Sequence, residues 1–317
     1  MKIFEKIKGH DPIVKNLMNA VKSPSRPHAL LFAGPSGVGK KLCAFAWAQG
    51  LLCESKAGVP CGKCSACLRV EKFQHPDLLF VGLHDAATIK IDQIRDIQNF
   101  ISLRSFEGRA KVVIIDESQA MTAQGANSLL KTLEEPPEHS FFVLVTSNRS
   151  GVLPTIQSRC QRTLFGSLGP DDLRELFPGM APWVFDLAQG RADSALRFSD
   201  ESYKKLRAAA LKVLRDLPRV RTFEGFMSLE PLVEERESAL FAIHCWGSWV
   251  KAASSFKLGA KATLIPEEKT VIEDFSKSYT SKQLLDMGQK ILRLEQDIQA
   301  NINKNLAFEK FWLEARP

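Results

Sequence analysis

The first residues of the chain that are suited to chemistry form a glycine-rich run, Gly34-Pro35-Ser36-Gly37-Val38-Gly39-Lys40-Lys41. An apolar stretch over 28–33, which predicts a buried strand, precedes the run, and a predicted helix over 42–52 follows it. Glycines allow the backbone to curl so that several N–H groups face one anion, and the helix start adds partial positive charge. This order predicts a phosphate-binding loop for ATP or ADP, with Lys40 placed to reach the outer phosphates.

Lys41 departs from the usual pattern of such a loop. Ser or Thr normally follows the first lysine, and its hydroxyl binds Mg²⁺. A lysine has no acceptor atom and brings a positive charge to the place where the cation should sit. We therefore expect poor Mg²⁺ binding, with Lys41 partly replacing the metal. Weak or absent ATP hydrolysis should follow, because Mg²⁺ normally neutralises the charge that develops in phosphoryl transfer.

Two carboxylates, Asp116 and Glu117, end a second predicted strand, which covers 111–116 and is rich in Val and Ile. In a nucleotide site Asp116 would orient Mg²⁺ or its water, and Glu117 would polarise an attacking water. An acid pair at a helix start is the alternative interpretation. The phosphate-binding loop upstream favours a place in the nucleotide site, but Lys41 leaves the catalytic use of Glu117 open.

Four of the seven cysteines lie within fifteen residues, at Cys53, Cys61, Cys64 and Cys67. Four soft ligands in one short segment suit a tetrahedral Zn²⁺ ion in a closed structural site, whereas a catalytic zinc needs an open position. Free reduced thiols are the alternative. A contact between this segment and DNA is less favoured, because its surroundings are only moderately basic.

Arg159 lies in Ser158-Arg159-Cys160, about a dozen residues after a predicted strand over 141–146. Its position alone favours an ordinary surface arginine. The other interpretation is an arginine finger, which would reach a phosphate bound by a neighbouring subunit and stabilise transition-state charge there.

The 317 residues are 44% hydrophobic and 25% charged, which excludes a disordered or collagen-like chain. The net charge is +7, and residues 1–50 hold eight basic against two acidic residues, or +6. This excess fits a contact with the phosphates of a nucleotide or nucleic acid, or a solvated basic face. Because no apolar run is long enough to span a membrane and residues 1–10 lack a secretory apolar core, we expect a soluble, cytoplasmic protein without a membrane partner.

Strands and helices alternate over residues 1–165. The predicted strands cover 28–33, 78–81, 111–116 and 141–146, and the predicted helices cover 42–52, 91–103 and 123–133. Such alternation predicts an α/β domain with a parallel sheet. Glycines and prolines separate short helical patches over 166–200, and long helices follow from 202.

One of these long helices follows a predicted capping box over 280–283. The predicted helix has an apolar stripe, which indicates either core packing or a face between subunits. The stripe consists of Leu284, Met287, Ile291, Leu294, Ile298 and Ile302.

Together the motifs resemble the clamp-loader branch of the AAA+ ATPases, and within it the delta-prime subunits of bacterial DNA polymerase III. The resemblance runs nearly from end to end, and its most specific string is Asn127-Ser-Leu-Leu-Lys-Thr-Leu-Glu-Glu-Pro-Pro137. The other family-like strings are Gly9-His10 with Val14 and Leu17, His28-Ala-Leu-Leu-Phe-Ala-Gly-Pro35, the four-cysteine insertion, Ser158-Arg159-Cys160 and Ala300-Asn-Ile-Asn-Lys-Asn-Leu-Ala-Phe-Glu309.

The resemblance implies three domains in a pentameric ring with gamma/tau and delta clamp-loader subunits. They are a P-loop AAA+ domain over 1–165 with a zinc-binding insertion over 53–67, a helical lid over 166–201 and an all-α oligomerisation collar over 202–317. The ring would open a sliding clamp and place it on primer-template DNA. Arg159 would be the arginine finger in trans, and Ser147 would match the position that senses the outer phosphate, with Asn148 as the alternative.

Two positions bear on which member of the family the chain resembles. Gamma/tau subunits carry Thr or Ser after the loop lysine and an arginine in the lid that senses the outer phosphate. Here Lys41 and Asp193 match those positions, with Arg191 two residues away from Asp193. These departures favour a delta-prime subunit whose own ATPase is weak or absent. The alternatives are an active gamma/tau-type clamp-loader ATPase and a zinc-dependent nucleic-acid-binding protein with a vestigial P-loop.

Overall fold

The computed structural model of the chain describes residues 2–55, 59–83, 86–107, 109–260 and 264–317. The chain forms two compact units. Unit 1 contains Met1–Phe177 and Gln189–Asp193, and unit 2 contains Pro178–Ala188 and Ser194–Pro317. The three-domain division at residues 165 and 201 stays a prediction.

Unit 1 is built on a parallel five-stranded sheet with the strand order β2-β3-β4-β1-β5. In register, Leu31 of β1 lies opposite Leu144 of β4 on one side and Arg162 of β5 on the other. The strands are β1 (Ala29–Ala33), β2 (Leu78–Val81), β3 (Lys111–Ile115), β4 (Ser140–Thr146) and β5 (Gln161–Leu164). The α/β fold with a parallel sheet and the four predicted strands are confirmed.

β5 was not predicted from the sequence. Its residues, Gln-Arg-Thr-Leu, are mostly exposed, and it pairs only with β1 at the edge of the sheet. A four-residue edge strand with three polar residues lacks the apolar run that identifies a central strand such as β3, all of whose residues are buried.

Helices cover both faces of the sheet, because alternate residues of each central strand point to opposite faces. Leu30 and Phe32 belong to the core with α1 and α2, whereas Leu31 belongs to the core with α4 and α5. The helices of unit 1 are α1 (Asp11–Lys22), α2 (Lys40–Leu52), α3 (Ser65–Glu71), α4 (Ile91–Ser102), α5 (Ala123–Glu134), α6 (Pro154–Gln157) and α7 (Pro170–Leu176).

The described part of unit 2 is helical. Its longest helix, α12, packs against α10, α13 and α14 and buries Trp246 and Trp249. The remaining helices of the chain are α8 (Pro182–Ala188), α9 (Ala192–Phe198), α10 (Glu201–Asp216), α11 (Thr222–Leu229), α12 (Arg236–Lys257), α13 (Pro266–Lys277), α14 (Ser281–Gln299) and α15 (Lys304–Glu314). α9 begins in unit 1 and ends in unit 2.

The predicted capping box is present at the start of α14, where Thr280 accepts a bond from the Gln283 backbone N–H and donates its own N–H to the Gln283 side chain. The apolar stripe from Leu284 to Ile298 is buried within the chain, which supports the core interpretation. The inclusion of Ile302 was wrong. α14 ends at Gln299, and Ile302 lies beyond it with half of its surface exposed.

Among the described residues, no helix is both long enough and apolar enough to cross a lipid bilayer.

Candidate nucleotide site and cysteine cluster

Residues 34–39 form a tight loop that joins the carboxyl end of β1 to the start of α2. Gly37 has φ +72° and Gly39 has φ +98°, in the left-handed region where a side chain is strained. His10 is hydrogen-bonded to the loop, because its Nε2 lies 2.9 Å from the carbonyl oxygen of Val38. The loop therefore has the strand-loop-helix context that the glycine pattern predicts.

Lys40 is folded into the loop. Its Nζ donates to the carbonyl oxygen of Gly34 at 2.8 Å and to that of Pro35. Burial lowers the pKa of Lys40, and the nearby carboxylates of Glu117, Asp116 and Asp193 oppose this shift. The ammonium is thus satisfied by the chain itself.

Lys41 lies at the position of the candidate nucleotide site where Mg²⁺ would be expected. Its Nζ lies 2.6 Å from Oδ2 of Asp116, which directly follows β3 and is largely buried. A lysine ammonium therefore neutralises the carboxylate that would otherwise orient a metal ion.

Asp193 lies directly against the loop. A Cβ atom added to Gly37 would come within 1.8 Å of Oδ1 of Asp193, so only glycine leaves room for this carboxylate. The backbone holds the contact, because Ala192 N–H donates to the carbonyl oxygen of Gly37 at 2.8 Å. Arg191 Nη2 lies 3.4 Å from Asp193 Oδ2. The acidic side chain of Asp193 thus lies beside the loop that is predicted to bind phosphate.

Glu117 and Ser147 meet at the carboxyl ends of β3 and β4. Ser147 Oγ donates to Oε2 of Glu117 at 3.2 Å, and Gln119 donates to both side chains. Asn148, the alternative sensor, instead accepts the backbone N–H of Ser150. Gln119 was not predicted from the sequence, where its only signal is its position just after the acid pair.

Arg159 precedes β5, whereas the glycine loop follows β1. Since the two strands are parallel neighbours, Arg159 lies at the end of the sheet where the strands begin, and the loop lies at the end where the strands finish. The guanidinium is one-third exposed, pairs with Glu134 of α5 and donates to the carbonyl oxygen of Thr155 at 2.9 Å. This placement separates Arg159 from the nucleotide site of its own chain.

The four cysteines come together, with all four sulfur atoms within 4.8 Å of one another. A tetrahedral Zn²⁺ ion with Zn–S bonds of about 2.3 Å would set the sulfurs about 3.8 Å apart, and the Cys61 and Cys67 sulfurs lie 3.9 Å apart. Backbone N–H groups of Lys63 and Cys64 lower the pKa of Cys61 to about 6, which favours the thiolate, whereas burial raises the pKa of Cys67. The donor set fits a closed tetrathiolate site. Residues 56–58 of the predicted insertion lie outside the described residues.

Gln49 of α2 connects the cysteine segment to the first residues of the chain. Its buried amide accepts the backbone N–H of Ile3 at 3.1 Å and donates to the carbonyl oxygen of Cys67 at 3.1 Å. The cysteine segment is therefore tied into the core rather than appended to it.

Comparison with known proteins identifies the family of the chain. The family model for "DNA polymerase III, delta subunit" matches residues 9–168, which include the glycine loop, the four clustered cysteines and Arg159. The chain is 27% identical over 301 residues to DNA polymerase III subunit delta' of Bacillus subtilis, a match that covers 92% of this chain and 91% of that protein. The chain belongs to the DNA polymerase III delta-prime family of clamp-loader subunits.

A second delta-prime relative, from Pseudomonas aeruginosa, is 28% identical over 304 residues, with 89% of each chain covered. DNA polymerase III subunit tau of B. subtilis is 39% identical, but over 161 residues that make up 50% of this chain and 28% of tau. The similarity to delta-prime subunits thus extends over both units, whereas the similarity to tau covers half of the chain.

Proposed function

We propose that the chain is a delta-prime-type subunit of the clamp loader of a bacterial replicative DNA polymerase III, with weak or absent ATPase of its own. The observation that carries the proposal is the Lys41–Asp116 contact of 2.6 Å. Phosphoryl transfer in P-loop proteins needs Mg²⁺ held between the loop hydroxyl and this type of aspartate. Here the hydroxyl is missing and the aspartate is paired with a lysine.

Asp193 acts in the same direction as Lys41. Charges of the same sign repel each other, although solvent and the nearby Arg191 guanidinium weaken the repulsion here. A carboxylate beside Gly37 therefore disfavours the phosphates of ATP or ADP, although the backbone of the loop could still hold them.

The partners that we propose are gamma/tau and delta clamp-loader subunits in a pentameric ring, together with a sliding clamp and primer-template DNA. The proposal rests on relatives named as delta' and tau subunits of one polymerase. Within the ring the chain would contribute structural support through its helical unit 2, and ATP would be hydrolysed in neighbouring subunits.

Arg159 is proposed to act in trans. It lies at the opposite edge of the sheet from its own glycine loop, so it cannot serve that loop, and its one-third exposure makes it accessible to a neighbour. To engage a neighbour's phosphate, the guanidinium would leave Glu134.

The cysteine cluster is proposed to hold one structural Zn²⁺ ion. Cys53, Cys61, Cys64 and Cys67 would supply all four ligands, which leaves no position for water or substrate. The ion would fix the loop between α2 and α3.

The decisive experiment compares Arg159→Ala with Arg162→Ala in a complex reconstituted with gamma/tau and delta subunits. Loss of an arginine finger lowers turnover at the site it serves by about 10³ or more, so Arg159→Ala should remove the contribution of one site to the DNA-dependent ATPase while the complex still assembles. Arg162 is an exposed arginine three residues away and is the matched control.

Unchanged ATPase with Arg159→Ala would contradict the finger role. Rapid ATP hydrolysis by the isolated chain, abolished by Lys40→Ala, would instead favour the active gamma/tau-type alternative. Tight DNA binding by the isolated chain that depends on the metal would favour the nucleic-acid-binding alternative.

A further inference from the structure

Most of the basic residues in 1–50 make contacts within the chain. Lys2, Lys6 and Lys8 form ion pairs with Glu5, Glu71 and Glu175. Lys40 is folded into the glycine loop, and Lys41 is paired with Asp116. The charge excess of residues 1–50 is therefore mostly structural.

Lys22 and Arg26 are different. Among the residues that the structure describes, no carboxylate lies within ion-pair distance of either one, and both line a cavity of about 580 Å³ in unit 1. Arg109 and His139 line the same cavity. No Asp or Glu occurs among its described lining residues.

The cavity lies at the edge of the sheet where the strands begin. Ala110 and His139, which line it, directly precede β3 and β4. The glycine loop follows the carboxyl end of β1, so the cavity and the candidate nucleotide site lie at opposite edges of the same sheet. The two sites are therefore distinct.

Local contacts hold the two guanidinium groups in place. Arg26 Nε donates to the carbonyl oxygen of Ser23 at 3.1 Å, and its guanidinium lies 5.8 Å from the ring centroid of Phe141. Arg109 donates to the backbone carbonyls of Cys53 and Glu54. Since a guanidinium carries five N–H donors, these contacts position each group and leave donors for a ligand.

The charge balance of the cavity is positive. α1 and α2 end beside it, and each helix end carries about half a negative charge, so together they offset about one of the three positive charges of Lys22, Arg26 and Arg109. The nearby Glu54 carboxylate, which interacts with the charge of Arg109 and accepts the hydroxyl of Ser65 at 2.6 Å and the backbone N–H of Ala66, offsets at most one further positive charge. A net charge of at least about +1 remains in the cavity.

We propose that this cavity binds a phosphate-bearing anion, through Lys22, Arg26 and Arg109. Guanidinium groups match the geometry of phosphate oxygens and form two parallel bonds to them. The volume is within the usual range of small-molecule sites, and Phe141 and Leu51 provide an apolar wall for a base or sugar. The phosphate could belong to a free nucleotide or to the backbone of a nucleic acid strand.

The test uses the full chain with Lys40→Ala added, so that the glycine loop cannot contribute. Binding of inorganic pyrophosphate and ADP is measured by calorimetry, and binding of a labelled single-stranded oligonucleotide is measured by fluorescence anisotropy. The variant pair Lys22→Gln/Arg26→Gln should weaken binding at least about tenfold. The control pair Lys15→Gln/Lys72→Gln removes the same charge from exposed lysines of unit 1 that do not line the cavity.

The probes distinguish the source of the phosphate. A loss confined to the oligonucleotide assigns the cavity to a strand backbone, and a loss confined to pyrophosphate and ADP assigns it to a free phosphorylated molecule. An equal loss in both variant pairs, or no binding of any probe to the parent chain, overturns the proposal. If the double variant does not fold, Lys22→Gln alone, at the exposed end of α1, gives the same comparison with Lys15→Gln.

Discussion

At the scale of single residues, Lys41 and Asp193 bring charges of both signs into a loop whose backbone is otherwise suited to phosphate. Lys41 pairs with Asp116, and Asp193 lies against Gly37. The two contacts would act on different parts of a bound nucleotide: the first would take the place of the metal ion, and the second would repel the phosphates. Their effects should therefore be separable by mutation.

We expect Lys41→Thr/Asp193→Ala to bind ATP with Mg²⁺ at least about tenfold more tightly than the parent chain. The change restores a hydroxyl ligand, frees Asp116 and removes a negative charge from beside the phosphate-binding loop. Titration with a fluorescent ATP analogue, with and without Mg²⁺, measures this gain. Lys205→Thr, which alters an exposed lysine of unit 2, should leave the affinity unchanged.

If Lys41→Thr alone made binding dependent on Mg²⁺ while Asp193→Ala had no effect, the role of Asp193 in excluding phosphate would be refuted.

At the scale of elements, the segment between α2 and α3 has few apolar residues of its own and is held by sulfur and backbone contacts. The backbone N–H groups of Cys61, Cys64 and Cys67 each donate to a cysteine sulfur earlier in the segment. Metal binding to such a segment contributes directly to its folding.

We expect Cys61→Ser to abolish the binding of one Zn²⁺ per chain and to increase local proteolysis between residues 53 and 67. One lost thiolate leaves an incomplete tetrahedral site. Elemental analysis of the purified protein and limited proteolysis measure these effects. Cys245→Ser, at a buried cysteine of α12 outside the cluster, is the control for metal content. Full metal content in Cys61→Ser would contradict the four-cysteine site.

The elements that sequence could predict are those with a strong apolar signal. β1, β3 and β4 are fully buried, so their apolar runs identify them, and the capping box marks the start of α14. β5 could not be predicted, because its pairing is determined by its neighbour β1 rather than by its own polar residues. The same holds for the Asp193–Gly37 contact, which joins residues far apart in sequence; the family resemblance indicated the position, but only the fold brings the two together.

At the scale of the whole molecule, the described part contains buried charges whose ionisation contributes to stability. Asp77, directly before β2, is completely buried and accepts the backbone N–H groups of Phe106 and Glu107 at 2.8 and 3.0 Å and the hydroxyl of Ser105 at 2.9 Å. Burial opposes ionisation of Asp77, but these hydrogen bonds, together with the Lys111 ammonium 3.7 Å from Oδ1, outweigh it and hold its pKa below the ordinary value.

A depressed pKa means that the unfolded chain binds a proton more readily than the folded chain. The stabilisation by Asp77 is therefore complete above its unfolded pKa of about 3.9 and is lost as the pH falls through the folded pKa. We expect Asp77→Asn to lower the free energy of unfolding of unit 1 by about 2 kcal/mol at neutral pH and to flatten its decline below about pH 4.

Urea denaturation at several pH values measures both effects. Asp92→Asn, an exposed carboxylate paired with Arg95 on α4, should change neither. An unaltered acid profile in Asp77→Asn would show that another carboxylate causes the decline.

The amide of Gln49 connects the backbone N–H of Ile3 with the carbonyl oxygen of Cys67, and these two atoms belong to segments that are otherwise remote in sequence. If the sulfurs were oxidised, or if a metal ion bound to them were removed, we expect the carbonyl of Cys67 to shift and the amide hydrogen of Ile3 to exchange with solvent deuterium more quickly. The exchange rate at Ile3 would thus report, from a distance, whether the cysteines are oxidised and whether they hold a metal ion.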